Sequence, residues 1–549
     1  MRVHDRRPSP LRWTLAHSVE VVFGLLAVGR LLHVLRISGD LSFWADDLLL
    51  LEQAGSLGGL FEPYNGHMSL VILSTYRVSA ELAGLSYLPL VVAGALSLLA
   101  VPVGYFVTTR RQLGPPLAAL LGVPLLWYEG MSLRPALLNH YGVLLGAIAC
   151  AAALNRGRRA DGVLAAGLAF ALCSAAGGVA VAGACILHTV LVPPPLRRWL
   201  AVLVPSALWG VWWVLVADVT SPSVPFQLTA GQAARMVRDL CTSPFYAVAL
   251  DNRFLAFALM AAFLLRGTLQ LRQGLAAGAN FLAWTAAMVI WAVALVETRG
   301  PFADPTTFRY AYLSLGFALL AVVPRQAIRW PAPIPVHDRR WLAAAACIVV
   351  VYGGASALAA RGGLQDEAAR GAALGREADG TLLVLGLGED VIPGSTPIRF
   401  FDIFAPHGSA ERTRALMDRY GSPFDATTAT ADHELVDLGV VRLLSAGGRA
   451  HPGCRALTDP VLQPGIVAPG LGERSADERV RGPASGPLQL WSSEAFTVEV
   501  RRFGDAWVHL ADVPGGRNVV LTLLALSTER LWEVRADGAC VVGDAAPSS

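Results

Sequence analysis

Two adjacent carboxylates, Asp46 and Asp47, follow an aromatic pair in Phe43-Trp44-Ala45-Asp46-Asp47-Leu48-Leu49-Leu50. On a helix, neighbouring side chains diverge by about 100°, so the two acids can face different groups. The pair stands just after the first long apolar run. Placing a carboxylate near the bilayer centre costs about 2.5–3.5 kcal/mol on insertion scales, so acids kept at a membrane face tend to serve a site. The competing reading is a solvated acidic pair that complements a helix N-terminus. Further polar groups recur downstream: Glu129 and Arg134; Asp218, Arg235, Arg238 and Asp239; Glu297, Arg299, Asp304 and Arg309. The last lies in Thr307-Phe308-Arg309-Tyr310-Ala311-Tyr312, where a guanidinium can grip a phosphate in two-point geometry. For any single Arg, snorkelling to the headgroups is the commoner role.

The elements that position these residues are apolar. Of 549 residues, 54% are hydrophobic and 15% charged, and the mean hydropathy is +0.50. A soluble domain carries about 25% charge, which excludes an ordinary cytosolic enzyme. The formal charge of +3 is too small and too scattered for a nucleic-acid partner. Candidate spans fall near 13–35, 86–108, 115–128, 136–154, 162–175, 178–192, 199–217, 253–265, 275–296, 308–323 and 341–360, about eleven transmembrane helices. The runs 115–128 and 162–175 are short for a span.

Arginine placement tests that count, because cytoplasmic loops collect basic residues. There is no Lys, and the 44 basic residues are all Arg. Arg2, Arg6 and Arg7 precede the first span; Arg110 and Arg111 follow the second; Arg156, Arg158 and Arg159 the fourth; Arg197 and Arg198 the sixth; Arg266 and Arg272 the eighth; Arg325, Arg329, Arg339 and Arg340 the tenth. Every cluster is internal if the N-terminus is cytoplasmic, and eleven spans then place the tail outside. The basic, apolar start shows no convincing cleavage site and reads as a retained anchor. The first outer loop, about 38–67, holds Asp40, Asp46, Asp47, Glu52 and Glu62. Tyr64-Asn65-Gly66-His67 is a turn signal, and His67 reads first as a turn residue. An amphipathic stretch, Met68 to Leu85, follows, with Val71, Leu73, Val78, Leu82 and Leu85 apolar and Arg77 and Glu81 polar, suited to lying along the interface.

Two parts emerge, a membrane part over 1–360 and a soluble part over 361–549. The tail predicts a buried strand at Thr381–Leu387, a short helix at Ala410–Arg419 stopped by Gly421, and a hairpin from Phe496–Phe503 to Ala506–Val513. Strands at Asn518–Leu526 and Leu531–Val542 complete an antiparallel sheet. Cys454 and Cys540 lie in this tail, where an oxidising compartment would allow a disulfide, although free thiols fit the spacing equally. Trp491, Trp507 and Trp532 read as core rather than as sugar platforms.

The ensemble resembles the GT-C superfamily of polytopic glycosyltransferases, in its actinobacterial, polyprenyl-phosphate-sugar-dependent members. The likeness rests on the N-in first span, Trp44-Ala45-Asp46-Asp47, Asn65-Gly66-His67, the late Arg309-Tyr310, and the short spans broken by Ser174-Ala175-Ala176-Gly177-Gly178. It covers roughly 1–360. Several relatives carry Asp-Glu where this chain has Asp-Asp. The resemblance implies a GT-C-like α-helical membrane domain with an extracytoplasmic β-rich α+β domain, multi-pass in the plasma membrane. It implies transfer of a sugar from a polyprenyl-phosphate donor to a glycan, lipid or protein acceptor. Asp46 or Asp47 would be the base, Asp46 preferred; Arg309, Arg299 or Arg134 would hold the donor phosphate; and Trp44, His67, Tyr310 and Glu129 would line the site. One carboxylate pair supplies too few ligands for a tightly held metal, leaving at most Mg²⁺ or Mn²⁺ held weakly through water and phosphate oxygens.

Two other classes fit less well. A lipid or glycolipid flippase would place ionisable residues deep in its spans and often shows related halves, which this sequence does not. A non-catalytic scaffold for envelope assembly keeps the fold but leaves the acidic pair without a purpose.

Overall fold

The computed structural model describes residues 17–38, 41, 43, 47–64, 67–127, 137–156, 160–216, 229–299, 308–325, 339–385, 397–398, 408–421, 441–446, 454–456, 461–463, 488–501, 508–523, 532–536 and 539–542. The apolar runs form α1 (Ser18–Ile37), α2 (Asp47–Ala54), α3 (Leu70–Ala83), α4 (Leu88–Leu113), α5 (Pro115–Trp127), α6 (Leu138–Leu154), α7 (Asp161–Leu172), α8 (Gly177–Leu191), α9 (Leu196–Val216), α10 (Ala230–Val248), α11 (Arg253–Arg272), α12 (Ala279–Arg299), α13 (Phe308–Ala321) and α14 (Arg339–Leu385). Among the described residues six of them, α1, α4, α9, α11, α12 and α14, are long and apolar enough to cross a membrane, against the eleven spans expected. The five other expected runs are shorter apolar helices, α5 to α8 and α13. The chain is an α-helical polytopic membrane protein with antiparallel β-structure toward its C-terminal part.

Two units make up the chain. One comprises Met1–Asp40, Gln53–Ser79 and Leu88–Arg370; the other comprises Leu41–Glu52, Ala80–Tyr87 and Gly371–Ser549. In the first, α9 and α11 expose Leu208, Val214, Leu215, Phe254 and Phe257, apolar surface of a kind that marks contact with lipid. The short helices lie deeper and pack through small residues. A Cβ on Gly146 of α6 would meet the Gly167 carbonyl of α7 at 2.5 Å and the Ala171 Cβ at 2.7 Å, so only glycine permits this crossing. A Cβ on Gly178 would run into the Ala171–Leu172 backbone, which lets α8 start immediately after α7.

The helix ends sort themselves. At one end of the bundle, Asp161 binds Arg197 at 3.0 Å and Arg198 at 2.9 Å, Arg198 also donates to the Arg156 carbonyl, and Asn280 Nδ2 donates to Asn155 Oδ1 and the Val323 carbonyl. These are the ends that carry the predicted Arg clusters. At the opposite ends of α5, α6, α12 and α13 stand aromatic residues, Trp127, Tyr141, Trp291, Tyr310 and Tyr312.

In the second unit, α15 (Ala410–Tyr420) ends at Gly421, whose φ of +87° is the left-handed stop expected there. The strands are β1 (Pro397–Ile398), β2 (Gly408–Ser409), β3 (Val441–Ala446), β4 (Cys454–Ala456), β5 (Val461–Gln463), β6 (Leu488–Trp491), β7 (Phe496–Arg501), β8 (Val508–Val513), β9 (Asn518–Leu523), β10 (Trp532–Arg535) and β11 (Cys540–Val542). They form a β1-β2 pair, a four-stranded sheet ordered β5-β10-β7-β8 and a five-stranded sheet ordered β3-β9-β6-β11-β4, with every pairing antiparallel. The predicted β7–β8 hairpin is present, Phe496 opposite Val513.

One expectation is corrected. Thr381–Leu385 closes the 47-residue α14 rather than forming a strand, because a short apolar run takes the conformation of the long helix it continues. In α3 the buried stripe is Ile72, Leu73, Tyr76 and Ala80, while Val78 and Leu82 are 52% and 81% exposed. In the β4–β11 pair Cys454 stands opposite Val542 and Cys540 opposite Ala456.

Candidate functional site

Asp47 is the first residue of α2 and is 2% exposed. Its Oδ2 accepts a hydrogen bond from the Tyr87 hydroxyl at 2.9 Å, and Phe43 packs edge-on against the Tyr87 ring at 5.1 Å. A buried carboxylate is costly unless hydrogen-bonded, so this bond fixes where the acidic segment begins its helix. Glu52, one and a half turns along, pairs with Arg412 of α15 at 3.2 Å. Gly84, at φ +61°, lies so close to the Tyr420 carbonyl that a Cβ would stand 2.7 Å from it. The acidic segment, Ala80–Tyr87 and α15 therefore make one local structure. Nothing in the sequence pattern signals α15's part in it; Arg412 and Tyr420 look like ordinary surface residues of a short helix.

His67 is half-buried and closes a tight turn, exchanging backbone hydrogen bonds of 3.0 Å with Tyr64 in both directions. The segment around it is anchored. Met68 packs with Trp212, the Trp212 indole donates to the Phe61 carbonyl at 2.8 Å, and Val71 N–H donates to the Cys173 carbonyl between α7 and α8 at 3.2 Å. The break between the two short spans thus holds the start of α3, a function that the small-residue run Ser174–Gly178 does not reveal by itself.

Tyr310 is buried near the start of α13. Its carbonyl accepts from the Trp291 indole at 3.1 Å, and His140 lies 6.2 Å from the Trp291 ring and 6.5 Å from the Tyr310 ring. That bond fastens α12 to α13 at the end where Arg299 closes α12 and Arg309 begins α13. The side chains of Arg299 and Arg309 lie outside the described residues, as do Trp44, Asp46, Glu129 and Arg134 entirely. Asp47 belongs to one unit and His67, Tyr310, Arg299 and Arg309 to the other.

A buried arginine that no motif singles out lies in α1. Arg30 is 1% exposed, with its guanidinium carbon 4.9 Å from the centre of the Trp127 ring. Among the described residues none of its three nitrogens has a hydrogen-bond partner. A signal for it does exist in the sequence: a charge in the middle of an apolar run of 20 residues.

No family model matches the chain, and no curated protein matches it. It is similar to a solved structure, the crystal structure of ArnT from Cupriavidus metallidurans bound to undecaprenyl phosphate, at 16% identity and a TM-score of 0.42 over 73% of this chain and 88% of that one.

Proposed function

We propose that the protein is a membrane glycosyltransferase of the GT-C type, moving a sugar from a polyprenyl-phosphate donor to a cell-envelope glycan, lipid or protein at the outer face of the plasma membrane. The observation that carries this reading is the built acidic segment: Asp47 is buried and held by Tyr87. A merely solvated acidic pair would need neither burial nor a phenol partner. Asp47 fixes the segment, and Asp46 is the base. The acceptor hydroxyl gives its proton to Asp46 as its oxygen attacks the anomeric carbon, and the bond from that carbon to the phosphate oxygen breaks on the opposite face with inversion. The leaving lipid phosphate is already a stable anion, so it needs positive charge rather than a strong acid, a role given to Arg309, Arg299 or Arg134. Trp44, His67, Tyr310 and Glu129 line the site, and no tightly held metal takes part. In this reading residues 1–360 are the catalytic membrane part, the N-terminus is cytoplasmic, and 361–549 are extracytoplasmic.

The test compares lipid-linked sugars and envelope glycans with and without the gene, and with Asp46→Asn. Accumulation of an unused lipid-linked sugar in both altered strains, with the variant present in the membrane, is the expected result. Full transfer by a purified Asp46→Asn/Asp47→Asn protein would overturn the mechanism, and unchanged glycans with altered lipid distribution would favour a flippase.

A further inference from the structure

Arg30 lies seven residues before the end of α1 at Ile37, about 10 Å along the helix axis from that end. A guanidinium at such depth is expensive unless paired. Its surroundings supply no carboxylate among the described residues. They supply instead the Trp127 face and the phenols of Tyr141 and Tyr312, which lie within electrostatic reach. Those two rings meet edge-on at 6.1 Å, and the Tyr312 hydroxyl donates to the Leu125 carbonyl at 3.3 Å. His33, one turn beyond Arg30, also faces Trp127, at 6.3 Å. The indole ring attracts the cation, while none of the three guanidinium nitrogens has a hydrogen-bond partner among the described residues, so their N–H groups could serve a planar two-point acceptor.

Resting on the donor proposed above, we propose that Arg30 binds phosphoryl oxygens in a site between α1, α5, α6 and α13, and that the phosphate arrives on a lipid. Burial argues for the lipid source: either phosphate must shed hydration to reach a residue that is 1% exposed, but a polyprenyl chain holds its phosphate at the bilayer beside α1, whereas a free phosphate has no such anchor. The cost of keeping Arg30 unpaired in the empty protein is then offset in the loaded one.

The test uses the full chain, purified and placed in phosphatidylcholine nanodiscs, with binding read by ligand-induced thermal stabilisation. The probes are a polyprenyl phosphate, phosphatidylglycerol and inorganic phosphate, applied to the wild type and Arg30→Met. The wild type is expected to be stabilised by the polyprenyl phosphate above the other two. Arg30→Met should bind it about tenfold more weakly or worse, while melting no lower than the wild type without ligand, because the variant buries no unpaired charge. Wild-type affinity in Arg30→Met overturns the inference and leaves the transferase reading standing. Arg30-dependent binding of phosphatidylglycerol or inorganic phosphate, with none of the polyprenyl phosphate, keeps the anion site and removes the donor. No binding of any probe by the wild type overturns both. If Arg30→Met does not accumulate, Arg30→Lys decides: a smaller loss is expected, because an ammonium makes no two-point contact, and an unchanged affinity overturns the inference.

Discussion

At the scale of single residues, the proposed mechanism divides the acidic pair into two roles. Asp47 accepts from Tyr87, and Tyr87→Phe deletes a donor to a buried carboxylate. The expected cost is about 1–3 kcal/mol of stability, with a fall in transfer rate as the segment loosens. Thermal unfolding and a transfer assay on the purified variant check both, and an unchanged rate would mean that the bond is structural only. The composition makes Asp46 and Asp47 stand out, because acids beside spans are scarce in a chain with 15% charge. The partner cannot be read from the sequence, since Tyr87 lies 40 residues away and hydrogen bonds across such distances leave no local pattern. Arg30 is equally visible as a charge within α1, but whether such a charge is paired is decided by what folds around it.

At the scale of elements, periodicity and length carry the helices well. All eleven apolar runs are helices, and the short ones prove to be those packed tightly through glycines. Gly146→Leu places a branched side chain where a Cβ would already stand 2.5 Å from the Gly167 carbonyl. It should part α6 from α7 and lower the melting temperature by several degrees or prevent accumulation, whereas Gly162→Ala, with nothing within 4 Å, should be silent. Expression and thermal unfolding of the two variants side by side make the comparison. One element is misread: Thr381–Leu385 shows that a short apolar run does not by itself say whether it is strand or helix. The exposed Val78 and Leu82 of α3 show that outward faces can be apolar too.

At the scale of the whole molecule, charge placement predicts sidedness. In a chain whose own cysteines are replaced by serine, a membrane-impermeant thiol reagent should label Ser493→Cys in intact cells and Arg110→Cys only after permeabilisation. The reverse pattern would invert the proposed topology. The order of strands in the tail also sets a schedule for making it. Among the described residues β4 pairs only with β11, and β5 only with β10. Both early strands must therefore wait, unpaired, while the intervening chain is synthesised, because their partners emerge last. Closure of such distant pairs is slow. A ribosome that stalls after β9 would leave two strands with open edges, a substrate for chaperones and proteases rather than a smaller version of the same domain.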